Sequence, residues 1–305
     1  MALYGGVEAG GTKFVCAIAS APGDVSAETI IPTTTPDETI TEAISFFREF
    51  QDQIVAIGVG CFGPVDIDPS SSTFGYITNT PKPGWAQTPI ISRLKRALNV
   101  PIFFDTDTNA AAIGEATWGI AKGLQTIAYL TVGTGIGGGV LIKGKPLHGM
   151  VHPEIGHLRI PHDWKADPFP GSCPFHGDCL EGLASGPALL RRWGTAGESL
   201  PPEHQAWPLE ANYLGLALTN IVLTLSPERI ILGGGVMQRG TLFQAIRARV
   251  KELLNGYVRA RQIEEKIEEY IVPPKLGQKA GVYGAIALAK NSLDQALGAG
   301  SPGLS

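Results

Sequence analysis

Positive charge, sulfur and long apolar runs are all scarce in this 305-residue chain, and each shortage excludes something. Lys and Arg total 24 against 28 Asp and Glu, a formal net charge of −4. A surface built to grip nucleic acid usually shows a basic excess, so no nucleic-acid partner is expected. No apolar run reaches the roughly 20 residues that span a bilayer, so no membrane association is expected either. The start, Met1 to Gly6, carries no basic region and no signal core, which makes the cytoplasm the expected location. In that reducing compartment the 4 cysteines are not expected to pair. Cys16 and Cys61 lie in apolar strand-like runs and read as inert core residues. Cys173 and Cys179 stand apart. With 44% hydrophobic and 17% charged residues, the composition is that of a globular protein, long enough for about two domains of ordinary size.

Glycine, in contrast, is abundant, at 39 residues. A glycine-rich turn after a strand-like start occurs twice, as Val7-Glu8-Ala9-Gly10-Gly11-Thr12-Lys13 and as Leu130-Thr131-Val132-Gly133-Thr134-Gly135-Ile136-Gly137-Gly138-Gly139. Each runs on into an apolar stretch, Phe14 to Ala19 and Val140 to Ile142. Two such hairpins suggest two related lobes that offer bare backbone N–H groups to an anion, because a side chain there would hold a phosphate off the backbone. Neither turn matches the P-loop spacing. A third glycine run, Gly233-Gly234-Gly235, follows an apolar strand and suits close approach of a flat adenosine group.

The rest of the chain alternates strand and helix signals, which argues for α/β lobes with mostly parallel sheets. Residues 4–19 read as a hairpin, Pro36 to Gln51 as a helix with Ile40, Ala43, Ile44 and Phe47 on one face, and Ile54 to Gly60 as a buried strand. Thr88 and Pro89 open a helix, Pro101 to Phe104 is a strand, and helix follows from Ala110. In the second half, a hairpin over Ile127 to Ile142 is followed by an irregular stretch from His148 to Cys179. Helices are expected over Glu210 to Leu225, Thr241 to Leu254 and Ala285 to Leu297, with a strand at Arg229 to Leu232 and a disordered tail from Gly298 to Ser305.

Two groups of residues carry possible chemistry. Between the glycine turns lies Phe104-Asp105-Thr106-Asp107-Thr108-Asn109. A carboxylate between two phosphate cradles points to phosphoryl transfer, in which an acid near the accepting hydroxyl takes its proton. Asp107 stands at a strand end before a helix, where ligands collect in open α/β sheets. It also suits an N-cap, and strand alternation would put Asp105 on the same face. The second group is Cys173-Pro174-Phe175-His176-Gly177-Asp178-Cys179, with His157 as a possible fourth ligand and His148, His152 and His162 as its rivals. Two thiolates and two imidazoles suit a tetrahedral, structural zinc, which would order a loop with little apolar surface of its own. Glu154 and Glu181 flank that loop and could accept hydrogen bonds from a polyol.

Taken together, Glu8 to Lys13, Asp107 to Ala112, Thr131 to Gly139, Glu154-Ile155-Gly156-His157, the cysteine run and Leu232 to Gly235 resemble the sugar kinases of the ROK group (repressors, open reading frames, kinases), over roughly Tyr4 to Ala289. The resemblance implies an actin-like, hexokinase-like (ribonuclease H-like) α/β fold of two lobes with a central cleft. The lobes are expected over residues 1–115, joined by the C-terminal helix 285–298, and over residues 116–284, with a zinc-braced loop at 148–181. It implies Asp107 as general base, in preference to Asp105. The sugar contacts it implies are Asn79, Asp107, Glu154, His157 and Glu181, and the zinc ligands are His157, Cys173, His176 and Cys179. ATP with magnesium is the implied donor, held by Gly10, Gly11, Thr12, Lys13, Thr131, Gly133, Thr134, Gly135, Gly233, Gly234 and Gly235. A homodimer is the implied assembly.

Within the group, the chain is most similar to the bacterial fructokinases. His152-Pro153 precede Glu154 where many glucokinases have a small residue and glycine, His176 replaces a cysteine, and Thr106 replaces an Asn. The implied reaction is phosphorylation of D-fructose at its 6-hydroxyl, with mannose or glucose as alternative substrates. A sugar-sensing regulator fits less well, because the chain begins at the first hairpin with no helix-turn-helix ahead of it and is acidic. A zinc hydrolase fits less well because four metal ligands leave no open position.

Overall fold

Each glycine turn joins two strands of a five-stranded sheet in the computed structural model, which describes residues 1–299. The first sheet contains β1 (Leu3–Ala9), β2 (Lys13–Ala19), β3 (Val25–Pro32), β4 (Ile54–Cys61) and β5 (Ile102–Thr106), in the order β3-β2-β1-β4-β5. The second contains β6 (Ile127–Val132), β7 (Ile136–Ile142), β8 (Lys145–Pro146), β9 (Arg229–Gly233) and β10 (Ile271–Val272), in the order β10-β9-β6-β7-β8. The two orders are one permutation. In each, the hairpin pair is antiparallel, and the hairpin's first strand pairs in parallel with a later strand, β4 or β9. The expected kinship of the two glycine hairpins is thus a repeat of the whole sheet.

Helices connect the strands as α1 (Pro36–Arg48), α2 (Ile90–Ala97), α3 (Asp107–Thr117), α4 (Leu180–Ala184), α5 (Gly186–Trp193), α6 (Ala206–Leu225), α7 (Gly240–Leu254), α8 (Arg261–Glu264), α9 (Ile267–Tyr270) and α10 (Ala280–Ala299). Thr35 caps α1 by accepting the Glu38 N–H, with proline following it in the first turn. The helix buries Ile40, Ala43 and Phe47, three of the four residues its periodicity selects. No helix among the described residues is long and apolar enough to cross a membrane.

The chain divides into two units. One comprises Met1–Gly123, Pro146–His152 and the chain from Lys279; the other comprises Leu124–Lys145 and Pro153–Gln278. The expected boundary at residue 115 falls inside α3, so the first unit runs on to Gly123. The start of the expected zinc loop also belongs to the first unit, because His148 Nε2 pairs with Asp105 at 2.9 Å and the Val65 N–H donates to His152 Nε2 at 3.1 Å. The last helix begins five residues before its expected start, at Ala280 rather than Ala285, and includes Gly298 of the expected tail. Residues 300–305 of that tail lie outside the described residues.

Two glycines let α10 pack closely on β4 and α3 within the first unit. A Cβ on Gly58 of β4 would collide with the Ala285 carbonyl, and one on Gly284 would collide with the Ala110 carbonyl of α3. The sequence reading missed β3, whose residues alternate between exposed and half-buried along the sheet edge and so lack a buried run. It also missed α4 and α5, which are short and interrupted by Ser185, Gly186 and Pro187.

Candidate active site

Asp107 is the first residue of α3, and the cap of that helix is its neighbour. Thr106 Oγ1 accepts the Asn109 N–H at 3.1 Å, which removes the N-cap reading of Asp107. One Asp107 oxygen, Oδ1, accepts the Thr108 N–H at 2.8 Å. Burial pushes the carboxyl up to about 6, against the opposing pull of backbone N–H groups. Most of it is therefore ionised at neutral pH, yet it binds a proton better than an exposed aspartate.

Asp105 is unlike it. Its Oδ1 accepts from Thr106 N at 2.8 Å and from Asn109 Nδ2 at 2.7 Å, while Oδ2 pairs with His148. Strand alternation does not put the two carboxylates on one face, because the strand ends at Thr106 and Asp107 is already helical. Asp105 braces the strand–helix junction.

Glu8, at the end of β1, is a neighbour that motif reading quoted but gave no role. Its carboxyl fills the space a Cβ on Gly281 would need. Burial and then the charge of Asp107 raise it to about 7, opposed by Lys13 and by the Val282 N–H. Two carboxyls with raised proton affinity thus lie in the first unit, one of them raised in part by the charge of the other. Distant parts of the chain supply them, which no local pattern reveals.

The first glycine turn is closed by the Gly10 N–H donating to the Lys13 carbonyl at 3.0 Å. A Cβ on Gly10 would lie 2.8 Å from that carbonyl oxygen, so the turn itself demands glycine there. Gly11 differs: no atom lies within 4 Å of where its Cβ would be, and its φ is not in the left-handed region. Nothing inside the chain requires Gly11 to be glycine. Gly11, Thr12 and Lys13 are all exposed. Asn79 is also exposed, on the loop that follows Ile77 in the same unit.

In the second unit, two glycine turns lie side by side. A Cβ on Gly133 would sit 3.8 Å from the Gly235 nitrogen. Gly234 has φ +94° and no room beside the Val132 carbonyl, and a Cβ on Gly233 would lie 2.6 Å from Tyr129 Oη. Gly235, like Gly11, has open space where its side chain would be. Thr134 is exposed, and Thr131 and Gly135 are half-buried. Glu181, in the first turn of α4, accepts the Ile136 N–H at 2.9 Å through Oε2, so one of its oxygens braces the hairpin. Glu154 is exposed and leads into the single 3₁₀ turn Ile155–His157.

That turn carries His157 to the cysteine run. One ligand atom from each of His157, Cys173, His176 and Cys179 lies within 4.8 Å of the others. His157 Nδ1 is 3.5 Å from Cys179 Sγ and 3.7 Å from Cys173 Sγ, and His176 Nδ1 is 3.6 Å from Cys173 Sγ. A zinc ion about 2.3 Å from sulfur and about 2.0 Å from nitrogen sets tetrahedral sulfur–nitrogen edges of roughly 3.5 Å, so the donor set fits a four-coordinate metal. The three rival histidines are engaged elsewhere: His148 with Asp105, His152 with the Val65 N–H, and His162 with the Asp167 carbonyl and the Asp178 carboxylate. Arg159 steadies the loop by donating to the His176 carbonyl at 2.8 Å and pairing with Asp178 at 2.6 Å.

The ROK family model matches residues 4–292. The chain belongs to the ROK family. Among ROK relatives, it is 47% identical to a putative fructokinase of Bacillus subtilis (strain 168) over 95% of this chain and 96% of that one. It is 42% identical to a fructokinase of Pediococcus pentosaceus over 96% of this chain and all of the relative's length. The solved ROK hexokinase of Thermus thermophilus superposes with a TM-score of 0.78 at 26% identity, covering 96% of this chain and 99% of the other. The two-lobed, actin-like and hexokinase-like α/β fold expected from the motifs is the fold of this chain.

Proposed function

We propose that the chain is an ATP-dependent hexose kinase that phosphorylates D-fructose at its 6-hydroxyl, giving fructose 6-phosphate. The observation that carries this reading is Asp107: a half-buried carboxylate with raised proton affinity, released from capping by Thr106, in the unit that holds the exposed turn at Gly11. The full-length similarity to proteins named fructokinase supports fructose in particular.

In this reading, the 6-hydroxyl lies against Asp107, which takes its proton as the oxygen attacks the γ-phosphorus. A positioned general base is worth about 10²–10⁴-fold, or roughly 3–5 kcal/mol of barrier. Gly10, Gly11, Thr12, Lys13, Thr131, Gly133, Thr134 and Gly135 hold the phosphates. Gly233, Gly234 and Gly235 lie against the nucleoside. Magnesium bound with the nucleotide supplies neutralisation of phosphate charge. Asn79, Glu154, His157 and Glu181 hold sugar hydroxyls. Glu181 does so through the oxygen not spent on Ile136, and His157 through Nε2, since its Nδ1 faces the thiolates. His157, Cys173, His176 and Cys179 hold a structural zinc that fixes the ring of His157 and the loop around it. The enzyme works in the cytoplasm as a homodimer.

The decisive experiment is ADP release from Mg-ATP with fructose, mannose, glucose, N-acetylated hexosamines and no sugar. Fastest release with fructose is the expected result. Faster release with another hexose would move the substrate and keep the mechanism. No release with any sugar would overturn the kinase reading in favour of a sugar sensor.

A further inference from the structure

The first glycine turn is held from outside by one residue 23 positions along the chain. The Thr33 hydroxyl donates to the Gly10 carbonyl at 2.7 Å, and the Thr33 N–H donates to the Thr12 carbonyl at 2.9 Å. Thr33 is buried, between the end of β3 and Thr35, the cap of α1. Its own platform is fixed. Trp85 Nε1 donates to the Thr34 carbonyl at 2.8 Å, the Thr34 N–H donates to Thr39 Oγ1 at 3.0 Å, and Thr39 Oγ1 donates to the Pro32 carbonyl at 3.2 Å. Trp85 is fully buried, with its ring 5.6 Å from that of Phe14 on β2.

In a trans peptide the carbonyl and the following N–H point in opposite directions. A bond to the Gly10 carbonyl therefore sets the direction of the Gly11 N–H, and a bond to the Thr12 carbonyl sets that of the Lys13 N–H. Both N–H groups are turned away from Thr33. Without the hydroxyl bond, the Gly10–Gly11 peptide could rotate and present its carbonyl dipole where its N–H had been. An anion is attracted by the N–H of such a turn and repelled by the carbonyl. The Gly11 N–H has no partner among the described residues, and Gly11 itself is exposed, with open space where a side chain would be.

We propose that Thr33 is a positioning residue for nucleotide binding: it ties back two carbonyls of the turn Gly10–Lys13 and aims the turn's N–H groups at the donor phosphates. This rests on the reading that the turn binds phosphate, and the two can be tested separately. Thr33→Val removes the hydroxyl and keeps the main-chain bond to Thr12. It is expected to raise KM for ATP roughly tenfold, the scale of one lost hydrogen bond, with KM for the sugar within about twofold. Thr33→Ser, which restores a hydroxyl, should recover most of the loss. Should the valine variant not accumulate as folded protein, Thr33→Ala in the same assay gives the same contrast.

Gly11→Ala is the control for the turn itself, because the fold has room for its methyl group but an approaching phosphate does not. If Gly11→Ala raises KM for ATP while the Thr33 variants leave it unchanged, Thr33 has no positioning role. The same conclusion follows if Thr33→Val raises both KM values equally, or if serine fails to rescue. If Gly11→Ala leaves KM for ATP unchanged, the turn does not bind the donor and the inference falls with it.

Discussion

The hydroxyl of Thr106 accepts the Asn109 N–H at 3.1 Å and so caps the helix that Asp107 begins. The aspartate that local pattern offers as a cap is thereby left for chemistry. Asp107→Asn keeps an oxygen for the Thr108 N–H but cannot take a proton. It should lower kcat by at least about 10²-fold. Its melting temperature should equal or exceed that of the parent, because a buried charge with raised proton affinity is lost. Substantial turnover in a folded Asp107→Asn protein would remove Asp107 from the mechanism.

The pH dependence follows from the same group. Burial raises its folded pKa to about 6, and the base works only when ionised. Turnover should therefore fall as pH drops through about 6, with unit slope on the acid side. The charge of Asp107 adds to burial in raising Glu8 to about 7, with Lys13 opposing the shift, so Glu8 is already mostly protonated where Asp107 titrates. Glu8→Gln should therefore leave the acid limb near pH 6. A limb moved to lower pH would show that Glu8 is still charged when the base takes up its proton.

For the metal centre, one zinc per chain is expected from elemental analysis. Cys173→Ser or His176→Ala should lose that zinc and render the segment between His157 and Cys179 more sensitive to limited protease, since the donor set ties His157 to the cysteine run. Retention of full zinc content by both variants would mean that the metal sits elsewhere.

Glu210 offers a test of stability unconnected with catalysis. It is fully buried in α6, neither carboxylate oxygen has a hydrogen-bond partner among the described residues, and burial holds its carboxyl well above the usual range, opposed by Arg192. A group with a raised folded pKa gives its full stability below its unfolded pKa and loses it as pH climbs. Glu210→Met should therefore raise the melting temperature, by more at pH 8 than at pH 5. A destabilised variant, or a gain that shrinks with rising pH, would show that the carboxyl has a partner after all.

The packing of α10 gives a last prediction. Gly284→Ala would drive a methyl group into the Ala110 carbonyl. The overpacking should cost at least about 1–3 kcal/mol in chemical denaturation. It should also lower kcat, because Ala110 lies in the first turn of the helix that Asp107 begins.

The local geometry around the candidate site was readable in advance because its parts are local. Glycine turns, a cysteine–histidine spacing and an acid at a strand end are each set by a few consecutive residues, and the residues that carry them fold where their patterns place them. Edge strand β3 escaped notice because a strand with one wet face and no buried run carries little hydrophobic signal. Its omission also hid Thr33, which has no motif and matters only through carbonyls 21 and 23 residues before it.

The sequence by itself determined the chemistry available: which residues can take a proton, bind a metal or bare their backbone, and that two hairpin-led halves carry them. Only the tertiary structure decided how those residues are used. It gave the cap to Thr106 and the brace to Asp105, chose His157 over three other histidines, and brought Glu8 under the charge of Asp107. The reason is physical. A side chain's donors and acceptors are fixed by its covalent structure, but which of them are already satisfied, and how strongly a buried charge holds its proton, depend on neighbours that only the folded chain brings together.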